Sequence, residues 1–213
     1  MLRGLISVFV LLVLLVLPAF AQQKDPASLP AREEHAGLLV AADPYDDAQR
    51  SKERFGKKHP FEAGILALEV YFRNDTDKAI RVDLSLIRLV LEIPDEGRQR
   101  LMPLSVEDVV NAIVYKEGIK PTVPRKPRPS PLPRSTGRKD KEVKQVDDVL
   151  RPLAFEMDVL PPRAILHGLF FFHLDHRFDL LRYAQLYIPD LKFLPDDKPL
   201  MFFEVDLSKT PRK

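Results

Sequence analysis

The chain has 213 residues, enough for one domain of ordinary size with extensions, and its 33 basic and 31 acidic residues leave a formal charge of +2. So even a balance gives no general case for nucleic acid as a partner. The absence of cysteine excludes disulfides, thiolate nucleophiles, cysteine-ligated zinc and a lipidated cysteine behind a leader, while 20 prolines against 8 glycines are the unusual counts.

Residues 1–21 read as an export leader. Arg3 gives the positive start, Leu5 to Leu17 is apolar, and Ala19-Phe20-Ala21 is a small-any-small cleavage site, so processing is expected before Gln22. The other reading is an uncleaved anchor, but 13 residues are few for a hydrocarbon layer of ~30 Å. No transmembrane helix is therefore expected after cleavage, and the rest of the chain is expected in the periplasm or secreted. Residues 22–35, with Pro26 and Pro30, read as a flexible lead-in.

The domain is expected over 36–207. Ala36 to Ala42 is the first strand candidate. Asp43 to Gly56 reads as a short surface helix, with Asp43 as cap, Pro44 in the first position and Gly56 in the left-handed cap. The stretch Phe61 to Leu91 is the centre of the pattern. Ile65 to Phe72 is apolar on both faces apart from Glu69, Asn74-Asp75-Thr76-Asp77 is turn chemistry, and Ile80, Val82, Leu84 and Leu86 alternate with polar residues. These features predict a β-hairpin. The alternation then slips at Leu86-Ile87, which calls for a bulge or a switch between sheets. Pro94-Asp95-Glu96-Gly97 is a turn, with a return strand over Arg98 to Leu104. Ser105 then caps a helix whose stripe is Val106, Val109, Val110, Ile113 and Val114, closing at Gly118.

Residues 121–144 differ in kind. They hold six prolines and eight Lys or Arg against two acidic residues, a local charge of +6 that leaves −4 for the remainder. Little there can be buried, so 119–148 is expected to be a disordered, basic, proline-rich loop, partly polyproline II, inserted in the domain. Beyond it, Leu153 to Val159 alternates as a half-buried strand and Ala164 to Leu174 reads as a central strand. Leu181 to Ile188, with Tyr183, Gln185 and Tyr187 on one face, and Met201 to Leu207 supply two more. Residues 208–213 form a basic tail. The fold class expected is mainly β: an antiparallel immunoglobulin-like sandwich of eight or nine strands with two short helices.

The order Phe55-Gly56, Gly64-Ile65-Leu66 and Asn74-Asp75-Thr76, followed by Gly168-Leu169-Phe170-Phe171-Phe172 and Leu186-Tyr187-Ile188-Pro189, resembles uncharacterised exported bacterial immunoglobulin-like β-sandwich domains over roughly 36–207. The resemblance implies fold and location and carries no catalytic residues with it.

The sequence offers no Gly-x-Ser-x-Gly elbow, phosphate-cradling glycine loop or His-Glu-x-x-His. Its serines Ser51, Ser85, Ser105 and Ser130 sit at caps, turns and linkers. His173, Asp175 and His176 are the metal candidates, although a polar turn between strands accounts for them, and His167 reads as a hydrogen-bonded core histidine. The pairs Glu156/Asp158 and Glu204/Asp206 read as solvated strand faces. No cofactor is expected. The basic loop, with Arg125, Lys126, Arg128, Arg134, Arg138, Lys139 and Lys141, is the partner candidate, suited to a protein partner or an anionic envelope surface. It lacks interleaved aromatics, which argues against nucleic acid. The function expected is a non-enzymatic envelope module for interaction or structure, accessory to a larger assembly, with edge strands available for pairing. The alternative is a small-ligand-binding or carrier module with a pocket between or beside the sheets, for instance at the Tyr183–Tyr187 face. An enzyme is the least favoured class.

Overall fold

The computed structural model describes residues 24–116 and 137–211. Its strands are, in chain order, β1 (Arg32–His35), β2 (Leu38–Tyr45), β3 (Ile65–Asn74), β4 (Ile80–Val82), β5 (Arg88–Ile93), β6 (Gly97–Leu101), β7 (Val159–Leu160), β8 (Ile165–His173), β9 (Ala184–Ile188), β10 (Leu191–Phe193), β11 (Lys198–Pro199) and β12 (Phe203–Asp206). The helices are α1 (Ala48–Phe55), α2 (Val106–Tyr115) and α3 (Gly137–Leu150). The chain is mainly β: three antiparallel sheets of four strands, in orders β1-β2-β3-β8, β11-β10-β4-β7 and β12-β9-β5-β6.

The apolar run Ile65 to Phe72 explains the first sheet. A strand without a wet face must be covered on both sides, and β3 pairs with β2 on one flank and β8 on the other. Leu66, Leu68, Val70 and Phe72 join Phe170 and Phe172 in the main core, which packs against Val82, Leu89, Leu186 and Phe203 of the other two sheets. The opposite face carries Ile65, Ala67, Leu169 and Phe171, covered by Val109, Val110, Ile113, Val146 and Leu150 of α2 and α3. Each fully buried Phe or Leu contributes about 1.5–3 kcal/mol.

The hairpin expected over Phe61 to Leu91 does not form. β4 pairs with β7 and β10 instead of β3, because β3 already has both neighbours and Asn74 anchors the chain elsewhere. The Asn74 side chain is fully buried, and its Nδ2 donates to the carbonyls of Lys78 and Pro161 at 2.8 and 2.9 Å. This turns the chain out of the first sheet and into the second. The switch expected at Leu86-Ile87 is present: Asp83 caps a 3-10 turn over Leu84–Leu86, and β5 begins at Arg88 in the third sheet. The return strand is β6, paired with β5.

Four further expectations change. Asp43 and Pro44 lie in β2, and Asp47, not Asp43, caps α1 by accepting from the Arg50 N–H. The lead-in is ordered from Lys24 onward, with Leu29 and Ala31 buried and Arg32–His35 paired to β2. The strand expected over Leu153 to Val159 is replaced by a 3-10 turn over Arg151–Leu153 and a single parallel bridge from Ala154 to Leu169, leaving Met157 half exposed. This segment crosses from the first sheet to the second, so only Val159 and Leu160 pair. Finally, the 137–148 portion of the expected disordered loop lies in α3. Proline stops before it, and Val143, Val146 and Leu150 recur at helical spacing against α2. Arg138, Lys139 and Lys141 therefore sit on a helix.

The crossing segment presses closely on β8. A Cβ added at Gly168 would meet Cα and N of Phe155 at 2.8 and 2.9 Å. Because backbone cannot yield as a side-chain tip can, Gly168→Ala is expected to lower stability by about 1–3 kcal/mol, read as a lower urea midpoint with an unchanged slope.

Candidate functional site

A cluster of polar side chains lies on the outer face of the first sheet, beside the part that α2 and α3 cover. Register places Asp43, Glu69 and Leu169 in one row and Ala41, Tyr71 and His167 in the next. Glu69 is 6% exposed. It accepts from the Tyr45 hydroxyl at 3.1 Å, lies 3.1 Å from His167 Nδ1, and has the Arg54 guanidinium of α1 at 3.9 Å. Tyr71 follows two residues on in β3, and the Tyr71 and His167 rings stack at 5.2 Å. Beside Glu69, Asp43 takes Lys24 at 2.6 Å and Arg50 at 3.0 Å, tying the N-terminal segment and α1 to the sheet. Each buried charge thus has a partner within the chain, as burial requires.

Burial first, then the neighbouring Glu69 charge, pushes the Tyr45 phenol up to about 12, and the same causes raise Tyr71. The phenols hold their protons in the folded state where the unfolded chain, from pH 10, releases them. The stability these phenols contribute is therefore expected to be fully present below pH 10 and to be lost as pH rises toward about 12. Melting temperatures across that window should drop by several degrees, and Tyr45→Phe should flatten the drop.

The candidates named from sequence are not gathered at this cluster. Arg125, Lys126, Arg128 and Arg134 lie outside the described residues. Lys139 and Lys141 are exposed in the first turns of α3, and Lys139 Nζ lies 5.1 Å from the centre of the Tyr115 ring at the end of α2. That contact, with Glu107 and Arg151 lining one depression at the other end, makes α2 and α3 an antiparallel helical hairpin. Residues 117–136 join its two arms.

His173 ends β8 opposite Ile65, while Asp175 and His176 form the following turn with φ of 49° and 64°. Among the described residues no group of three His, Cys, Asp or Glu side chains is placed to hold a metal ion. His167 is hydrogen-bonded as expected, but its side chain is 39% exposed, on the rim of the core. Glu156 and Asp158 are exposed on the crossing segment; Glu204 and Asp206 are half buried on β12. Among the described residues no helix is long and apolar enough to cross a membrane.

The Glu69 cluster escaped the sequence reading, although its signal was present: one carboxylate in a strand otherwise apolar on both faces demands buried partners. Compared with family models, curated proteins and solved structures, the chain matches none.

Proposed function

We propose that this chain is a non-enzymatic module of the bacterial envelope, exported by residues 1–21, whose sandwich of immunoglobulin-like type holds a basic segment against an anionic envelope surface. What supports the reading is the charge of residues 117–136 together with the described helices on either side of them. This stretch has five Lys or Arg against one Glu, and the helices that precede and follow it in the chain, α2 and α3, pack on the first sheet. Exposed Lys139 and Lys141 extend the positive charge onto α3. Such a surface attracts phosphate headgroups or acidic wall polymers by salt-sensitive Coulomb forces.

Strand addition, the other partner mode expected, has less support. The edge strands are blunted by charge or proline: Arg32, Glu33 and Glu34 on β1, Arg98 and Arg100 on β6, Pro199 on β11. The edge of β8 is occupied where Phe155 and Leu104 donate to Leu169 and Phe171. A non-enzymatic role fits the Glu69 cluster, whose acceptors are taken by the chain's own donors.

The test is to replace 117–136 with a short Gly/Ser linker and follow the protein between the envelope and soluble fractions of its host. Release of the linker variant is expected. Unchanged fractionation overturns the reading.

A further inference from the structure

Helix α1, the 3-10 turn Pro60–Ala63 and the turn carrying His176 border an open surface groove of about 790 Å³, with room for a small ligand. Gln49 and Lys52 line it from α1; His59, Phe61, Glu62 and His176 line it from the other side. Gly64, at φ 69°, lets the two turns meet, since a Cβ there would lie 2.8 Å from the His176 nitrogen.

His59 is the unusual member of the wall. Its side chain is 3% exposed, Nε2 lies 3.6 Å from Glu62 Oε1, and Nδ1 is buried without a hydrogen-bond partner among the described residues. Buried polar atoms are nearly always paired, and an orphan costs about 1–3 kcal/mol. Burial also lowers the pKa of His59, opposed by Glu62 and assisted by Lys52. A neutral ring offers one N–H and one lone pair. The surrounding charges have both signs: Lys52 on the helix, against Glu53 beside it and Glu62, whose side chain is 64% exposed. Glu53, also in the wall, already accepts from Gln49 at 2.9 Å. Phe61 is held in place by stacking on Phe178 at 4.2 Å, which gives a fixed apolar plate.

We propose that this groove binds a small zwitterion of the free-amino-acid type, with its ammonium on Glu62, its carboxylate on Lys52 and an apolar side group over Phe61. The ligand would supply the hydrogen-bond partner that His59 Nδ1 lacks among the described residues. A simple anion would meet the Glu53 and Glu62 charges, and a simple cation would leave Lys52 unmatched; a ligand with both charges answers both signs in the wall. The site is independent of the envelope contact, since none of its residues belongs to the basic segment.

The test is an NMR titration of the chain from Gln22 onward with L-phenylalanine, alongside phenylacetate and phenethylamine, each of which keeps one of its two charges. Saturable shifts at Lys52, His59, Phe61 and Glu62 are expected, with each single-charge analogue at least tenfold weaker. Lys52→Met, on the solvated side of α1, should weaken L-phenylalanine by the same factor, and His59→Gln should do so while the spectrum remains folded. Absence of saturable shifts at millimolar L-phenylalanine overturns the proposal, as does equal binding of either analogue or unchanged binding by Lys52→Met.

Discussion

Asn74→Asp is expected to cost about 3–5 kcal/mol, more than Asn74→Ala at about 2–3 kcal/mol, although aspartate is the closer match in shape. The Asn74 side chain is fully buried and uses both ends of its amide. Its Nδ2 donates to the carbonyls of Lys78 and Pro161, with the Leu160 carbonyl a further 3.4 Å contact; its Oδ1 accepts from Thr76 N and Oγ1 at 3.1 and 2.7 Å. Alanine leaves these groups unmet. Aspartate does worse, setting a second carboxylate oxygen against carbonyls that can only accept. Denaturant midpoints of the two variants check the order. Alanine costing as much as aspartate would mean that the amide donor does not hold the two chain segments together.

Glu69→Ala is expected to be comparably severe, about 3–5 kcal/mol, because it removes the carboxylate shared by Tyr45, His167 and Arg54. Glu69→Gln keeps an acceptor oxygen and loses only the charge, so its cost should be smaller, about 1–2 kcal/mol. The contrast is informative because the cluster joins three strands and a helix. Equal, small losses for both variants, measured by calorimetric melting, would show that Glu69 is solvated and the network is not a cross-link.

How far the sequence revealed this molecule depended on the range of the forces involved. Local chemistry was legible: the Ser105 cap, the Val109–Ile113 stripe, the turn before Gly97 and the slip at Leu86-Ile87 are each decided by neighbours within a few residues. Pairing partners were not. Ile65 to Phe72 announces a doubly covered strand, yet which strands flank it depends on β8, nearly a hundred residues away, so the hairpin with Ile80–Val82 was the natural local error. Charge averaged over 121–144 concealed the boundary at Gly137, after which proline ends and valines return at helical spacing. The Glu69 cluster was visible as a misplaced charge, but His167 and Arg54 come from separate elements and only folding brings them together. The groove beside α1 is likewise assembled from three short elements, each with an unremarkable local sequence.

The measurement that bears most directly on the account is vesicle binding by the chain from Gln22 onward, with and without charge in the segment. Arg125, Lys126, Arg128 and Arg134 replaced by glutamine keep its length and prolines while removing four positive charges. At roughly 1 kcal/mol for each basic side chain near an anionic surface, affinity for vesicles rich in anionic lipid should fall by about a thousandfold. Binding of the unaltered chain should also fade as salt rises, and neutral vesicles should not bind it. If the charge-stripped chain binds anionic vesicles as tightly as the unaltered one, the basic segment is not the contact and the account of this module is wrong.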